Sequence, residues 1–173
     1  TPKTKLLVLP FPNNPTGAIL TREELEEIAE VLRDTNIAIL SDEIYAELTY
    51  DREHVSIASL PGMQERTILI NGFSKAYAMT GWRIGYTAAP LAVSKLMASL
   101  QSHMASNPNS IAQAATVAAL NGSQDCVAEM CVEFKKRRDY IFEREEAIPM
   151  LSALKPQGAF YLFVDVSGTY GKS

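Results

Sequence analysis

Two short apolar runs on either side of one capped helix most constrain what this chain can become. Leu6-Leu-Val-Leu9 and Ile37-Ala-Ile-Leu40 are β-type runs. Between them Thr21-Arg-Glu-Glu24 reads as a capping box, the Thr21 oxygen taking a free backbone N–H while Glu24 reaches back. A helix is expected to start there, with Leu25, Ile28, Ala29 and Leu32 forming one apolar stripe that packs on a sheet. Strand, helix and strand in that order make a right-handed crossover between parallel strands. The expected class is α/β, a mostly parallel sheet layered with helices.

Residues 46–66 are mixed, with Pro61-Gly62 as a turn, and lead to a strand at Thr67-Ile-Leu-Ile-Asn71 and another at Arg83-Ile-Gly-Tyr-Thr-Ala88. Helical patterning returns at Leu91, with Met97, Leu100, Gln101 and Met104 on one face; the methionines are read as packing residues. Ser106-Asn-Pro-Asn-Ser110 breaks that pattern before Ile111 to Leu120 resumes it. The longest helix candidate runs from about Gln124 to Ala147, with Val127, Met130, Cys131, Phe134, Ile141 and Phe142 on one side. At 1.5 Å per residue it is about 35 Å long, enough to bridge two domains. Strands are expected around Leu151 to Leu154 and Ala159 to Val166.

Polar clusters stand where strands end. Pro12-Asn-Asn-Pro-Thr-Gly17 follows the first run and Ser41-Asp-Glu-Ile-Tyr45 the second, and in an open α/β sheet the carboxyl ends of strands converge on the ligand crevice. Lys75 lies in a third such segment, Asn71-Gly-Phe-Ser-Lys-Ala-Tyr-Ala-Met-Thr-Gly-Trp-Arg-Ile-Gly85, where Gly72 and Gly81 let the backbone approach something bulky. An amine for covalent catalysis and the Arg83 fork, suited to phosphate, fall in one element, which suggests a phosphorylated aldehyde cofactor.

Asn-Pro-Thr-Gly17, Ser41-Asp-Glu-Ile-Tyr45 and Ser74-Lys-x-x-x-Met-Thr-Gly-Trp-Arg-x-Gly85, in that order, resemble the class I/II aminotransferases, pyridoxal-phosphate enzymes of fold type I, and most of all their bacterial aspartate/aromatic branch. The resemblance runs from about residue 5 to about residue 166. It implies a three-layer α/β/α sheet, present in part as a cofactor-binding large domain over 1–122, an interdomain helix over 123–148, and the start of a small α+β domain over 149–173. Members are more than twice as long, and the chain opens on Thr1, so a fragment of a longer protein is expected. The resemblance also implies roles. Lys75 forms the internal aldimine and shuttles a proton; Asp42 sits beside the pyridine nitrogen; Tyr45 and Asn14 hold the ring oxygen; Arg83 binds the phosphate, with Ser74 as a further contact. Many relatives carry a hydroxyl three residues before the lysine, where Gly72 stands here. Pyridoxal 5'-phosphate is thus the implied cofactor, an amino acid and a 2-oxo acid the substrates, and a homodimer the implied assembly. The fragment itself, which lacks further family site parts, is expected not to transaminate.

Other classes fit less well. The formal charge of −4 and the single short basic run Lys135-Lys-Arg-Arg138, read as a solvated face, disfavour nucleic acid. No signal peptide or 18-residue apolar span is seen, so no membrane partner is expected and cytoplasm is the default. Cys126 and Cys131 are read as small core residues, and His54 and His103 as unaccompanied, so no metal site is expected. Trp82, beside Arg83 in a presumed strand, is read as a packing or interface residue. The remaining alternatives are another fold type I reaction such as carbon–sulfur β-elimination, and a non-catalytic ligand-binding or regulatory module. Tyr45 favours transamination over the lyase reading.

Overall fold

The computed structural model describes residues 1–171. Strands β1 (Leu6–Pro10), β2 (Ala38–Asp42), β3 (Thr67–Gly72) and β4 (Gly85–Ala88) form one sheet in that order. The first three are parallel, with Val8 opposite Leu40 and Ser41 opposite Leu69. β4 is antiparallel to β3, because residues 73–84 turn back without the crossover helix that a parallel return needs. The expected strand at Arg83 therefore begins two residues later, and Trp82 belongs to a 3-10 turn, Thr80–Trp82. Gly72 is opposite Gly85, and a Cβ on Gly72 would lie 3.0 Å from the Gly85 Cα; this pairing is what demands glycine there. A Cβ on Gly81 would meet no protein atom within 4 Å.

Helix α1 (Arg22–Leu32) starts at the capping box: Thr21 Oγ1 accepts from Glu24 N at 3.2 Å and Glu24 Oε2 accepts from Thr21 N at 2.8 Å. Its buried Leu25, Ala29 and Leu32 cover Leu9 and Ile39 of the sheet, together with Ile57, Leu60 and Met63. A fully buried leucine contributes on the order of 2 kcal/mol. On the other face Leu6 and Val8 remain 44% and 51% exposed. Helices α2 (Leu91–Ala105) and α3 (Ser110–Asn121) follow, with Met104 75% exposed instead of packed.

Helix α4 (Asp125–Glu146) leads to a two-stranded antiparallel piece, β5 (Ser152–Ala153) and β6 (Val164–Asp165). The strands expected over 151–154 and 159–166 shrink to these pairs because residues 156–161 are used elsewhere. Gly17 O accepts from both Gln157 N and Gly158 N at 2.9 Å, Leu48 O accepts from Ala159 N at 2.8 Å, and Thr49 bridges Gly158. Gly17 has φ +68, and a Cβ on it would overlap Pro156 and stand 2.8 Å from Gly158 O. Residues 172 and 173, the end of the expected 149–173 unit, lie outside the described residues.

The basic run on α4 is not a solvated face throughout. Arg138 is 4% exposed at its side chain, donates to Asp51 Oδ2 at 2.5 Å and Pro156 O at 2.9 Å, and lies 4.8 Å from the Tyr50 ring centre. It is buried because its planar fork can satisfy Asp51, Asp139 and a carbonyl at once. Of the two cysteines, Cys126 is exposed and not a core residue, while Cys131 is half-buried and packs against the Tyr45, Leu48 and Ala159 cluster, with Sγ 3.3 Å from Thr49 O. Among the described residues, no helix is long and apolar enough to cross a membrane.

Gly17→Ala should lower stability by about 2 kcal/mol or more, since a positive φ and an occupied Cβ position act together; Gly81→Ala should stay within about 0.5 kcal/mol. Denaturant melts of the two variants check this. Hydrogen bonding to Arg138 holds the Asp51 carboxyl below its ordinary value despite partial burial. A depressed folded-state pKa gives stability that is present above the unfolded value and lost as pH falls, so this pair should weaken progressively below about pH 4. Arg138→Ala should cost about 2 kcal/mol at neutral pH, discounted for the half-exposed Asp51, and flatten that acid loss.

Candidate active site

The carboxyl ends of β1, β2 and β3 deliver three polar segments to one place. After β1 the turn is built by Asn13, whose Oδ1 accepts from Thr16 N at 3.3 Å and Thr16 Oγ1 at 2.8 Å, while its backbone pairs with Gly17 and Ala18. The next amide, Asn14, is exposed and stands near enough to Tyr45 to act on its phenol. Asp42 ends β2, half-buried, with Oδ1 accepting from Ile44 N at 3.2 Å in an Asx turn. Tyr45, 5% exposed, follows in the same turn.

Lys75 sits on the turn after β3. Phe73 and Ala76 are buried on either side of it, Ala78 N donates to Lys75 O at 3.2 Å, and Tyr77 Oη donates to Gln124 Oε1 at 2.7 Å beside the start of α4. The Lys75 ammonium is therefore held over aromatic faces: Nζ is 5.6 Å from the Tyr45 ring centre and 5.4 Å from that of Phe160. Such contacts are worth roughly 0.5–2 kcal/mol depending on desolvation. Phe160 meets Tyr45 edge-on at 5.4 Å and stacks on Phe134 of α4 at 5.2 Å.

Tyr45 Oη lies 2.7 Å from Tyr161 Oη. Burial, then the hydrogen bond to Tyr161 and that group's charge, push the Tyr45 phenol well above its ordinary pKa; the Asn14 amide opposes the rise and the Asp42 charge adds to it. Four sequence-derived residues, Asn14, Asp42, Tyr45 and Lys75, are thus gathered around one phenol and one amine.

Ser74 is half-buried on the Lys75 turn. Arg83 is exposed in a left-handed conformation, φ +51, and among the described residues Thr80 O, at 2.8 Å, is the acceptor hydrogen-bonded to its guanidinium. It opens on a cleft of about 590 Å³ lined also by Ala78, Gly81, Trp82 and Asn109.

Phe160 and Tyr161 escaped sequence reasoning because Ala159 to Val166 reads as one apolar strand. The breakers Pro156 and Gly158 just before it were the available signal that the chain turns inward. His54 is not unaccompanied either: Nε2 lies 2.8 Å from Glu43 Oε2.

A family model described as aminotransferase class I and II matches residues 1–172. The aspartate aminotransferase of Geobacillus stearothermophilus is 49% identical over 165 residues, 94% of this chain and 42% of that protein. The crystal structure of the aspartate aminotransferase from Rhizobium meliloti superposes with a TM-score of 0.94 at 42% identity, over 99% of this chain and 44% of that one. The aromatic aminotransferase from Pyrococcus horikoshii gives 0.91 at 44% identity, over 95% and 44%. The chain spans less than half the length of these relatives.

Tyr161→Phe removes a cause that raises the Tyr45 pKa, so the Tyr45 midpoint should fall while staying above the ordinary value, because burial persists. Tyrosine ring-carbon NMR titration of the two proteins measures it.

Proposed function

The chain belongs to the class I and II aminotransferases, and on that footing we propose that the intact protein moves an amino group between an amino acid and a 2-oxo acid, with pyridoxal phosphate at Lys75. The observation that carries the reading is the Lys75 amine, held over Tyr45 and Phe160 beside the ends of three strands.

The donor set fits such a group. An amine suits an aldehyde, the Asp42 carboxylate suits a protonated ring nitrogen, a phenol with a neighbouring amide suits a ring oxygen, and the exposed Arg83 fork suits a phosphate. Ser74 is read as a further phosphate contact. When bound, the cofactor supplies an electron sink for charge developing at the substrate Cα. Lys75 would take the Cα proton as general base and, as general acid, hand it to the carbon on the other side of the amino nitrogen. The Asp42 carboxyl stands at the β2 end, where it would face a cation; Tyr45 and Asn14 orient. Phe160 lies against the amine and Tyr161 against the Tyr45 phenol, where both would line the side of the site facing the bound group.

Residues 1–122 are read as part of a large cofactor domain, 123–148 as the bridging helix and 149 onward as the start of a small domain. Aspartate and aromatic amino acids are the substrate classes that the relatives' names support, and a homodimer is the proposed assembly. The 173 residues alone are proposed not to transaminate.

Adding pyridoxal phosphate to the intact protein, reducing with borohydride and mapping peptides should fix one adduct at Lys75, absent from Lys75→Ala. Amino-acid/2-oxo-acid exchange should fall at least roughly 10²-fold in that variant. An adduct elsewhere, or exchange that survives the substitution, contradicts the proposal.

A further inference from the structure

The proposed reaction does not use Glu43, although its side chain is among the most enclosed in the chain, 5% exposed and one residue from Asp42. Its carboxylate gathers three partners. Ser41 Oγ donates to Oε1 at 3.0 Å, Ser56 Oγ to the same oxygen at 2.6 Å, and His54 Nε2 lies 2.8 Å from Oε2. Burial by itself would raise this carboxyl, but the hydrogen bonds from His54, Ser56 and Ser41 outweigh it and hold Glu43 below its ordinary value. Ser41 and Ile39 are the buried positions of β2, on the side roofed by α1, and Glu43 joins Ser41 there.

The backbone of Glu43 is tied at both ends. Its N–H donates to Ile70 O of β3 at 2.8 Å, and its carbonyl accepts from Ala46 N at 2.9 Å, in the turn that carries Tyr45. Ser56 also caps the 3-10 turn Ile57–Ser59 through Ala58 N, so the hub joins β2, β3 and the 54–59 segment. A carboxylate with three partners in a closed space has one position, and the residues covalently bonded to it inherit that position.

We propose that Glu43 is a positioning residue: its carboxylate, held by Ser41, His54 and Ser56, fixes the backbone of Asp42 to Tyr45 so that those two side chains face Lys75. The cofactor consequence rests on the functional reading above; the backbone consequence does not.

The test uses the intact protein with Glu43→Gln, Glu43→Ala and, as a control of matched stability loss, Met63→Ala, which empties the α1-side core. Hydrogen exchange at Ile44, Ala46 and Leu48, whose N–H groups bond within this turn, should speed up about tenfold in the Glu43 variants. The control should stay within about twofold there. The dissociation constant for pyridoxal phosphate should rise about tenfold in the Glu43 variants and stay unchanged in the control. Where Glu43→Ala fails to fold, Glu43→Gln and Ser56→Ala carry the comparison. Unchanged exchange in the Glu43 variants, or equal acceleration in the control, overturns the proposal. If the unsubstituted protein binds no pyridoxal phosphate, the functional reading falls and the exchange result alone decides the role of Glu43.

Discussion

One carbonyl organises the molecule. Gly17 O accepts from two consecutive N–H groups, those of Gln157 and Gly158, and so fastens the turn after the first strand to a segment about 140 residues later. Gly158 runs so close beneath this turn that a Cβ there would stand 2.8 Å from Pro12 Cβ. Each bond is worth only about 1 kcal/mol net, but the crossing fixes where the next residues go. Ala159 pairs with Leu48, Phe160 lands over Lys75, and Tyr161 reaches Tyr45. Arg138 locks the crossing from outside by bonding Pro156 O and Asp51 at once.

The sheet and the first helix were legible because local signals agreed there. The Thr21 capping box, the Leu25 to Leu32 stripe and the β-type runs at Leu6, Ile37 and Thr67 each point to the element that forms. The positions of Asn14, Asp42, Tyr45 and Lys75 at strand ends were legible for the same reason. What sequence alone could not show depends on pairing at long range. A charged run such as Lys135 to Arg138 looks solvated until Asp51 is known to sit opposite it. The apolar Ala159 to Val166 looks like a strand until the Gly17 crossing is seen to claim its first residues. The β4 start moved for a local reason, the left-handed turn at Arg83.

Polar groups around Lys75 divide between two faces of the sheet ends. On one, the buried Tyr45 phenol pairs with the half-buried Tyr161 hydroxyl, with the exposed Asn14 amide nearby. On the other, Glu43 gathers Ser41, His54 and Ser56 into a rigid anchor. A short turn between them carries both Asp42 and Tyr45, so chemistry on one side leans on packing on the other. This arrangement matches the general demand that reactive groups sit on elements whose own positions are locked.

The most direct measurement of the central claim is a crystal structure of the intact protein with pyridoxal phosphate. The expected result is density joined to Lys75 Nζ, with Asp42 and Tyr45 against the ring and Phe160 and Tyr161 closing over it. A cofactor seated elsewhere, or a Lys75 turned out to solvent with residues 156–161 away from Gly17, would contradict the claim.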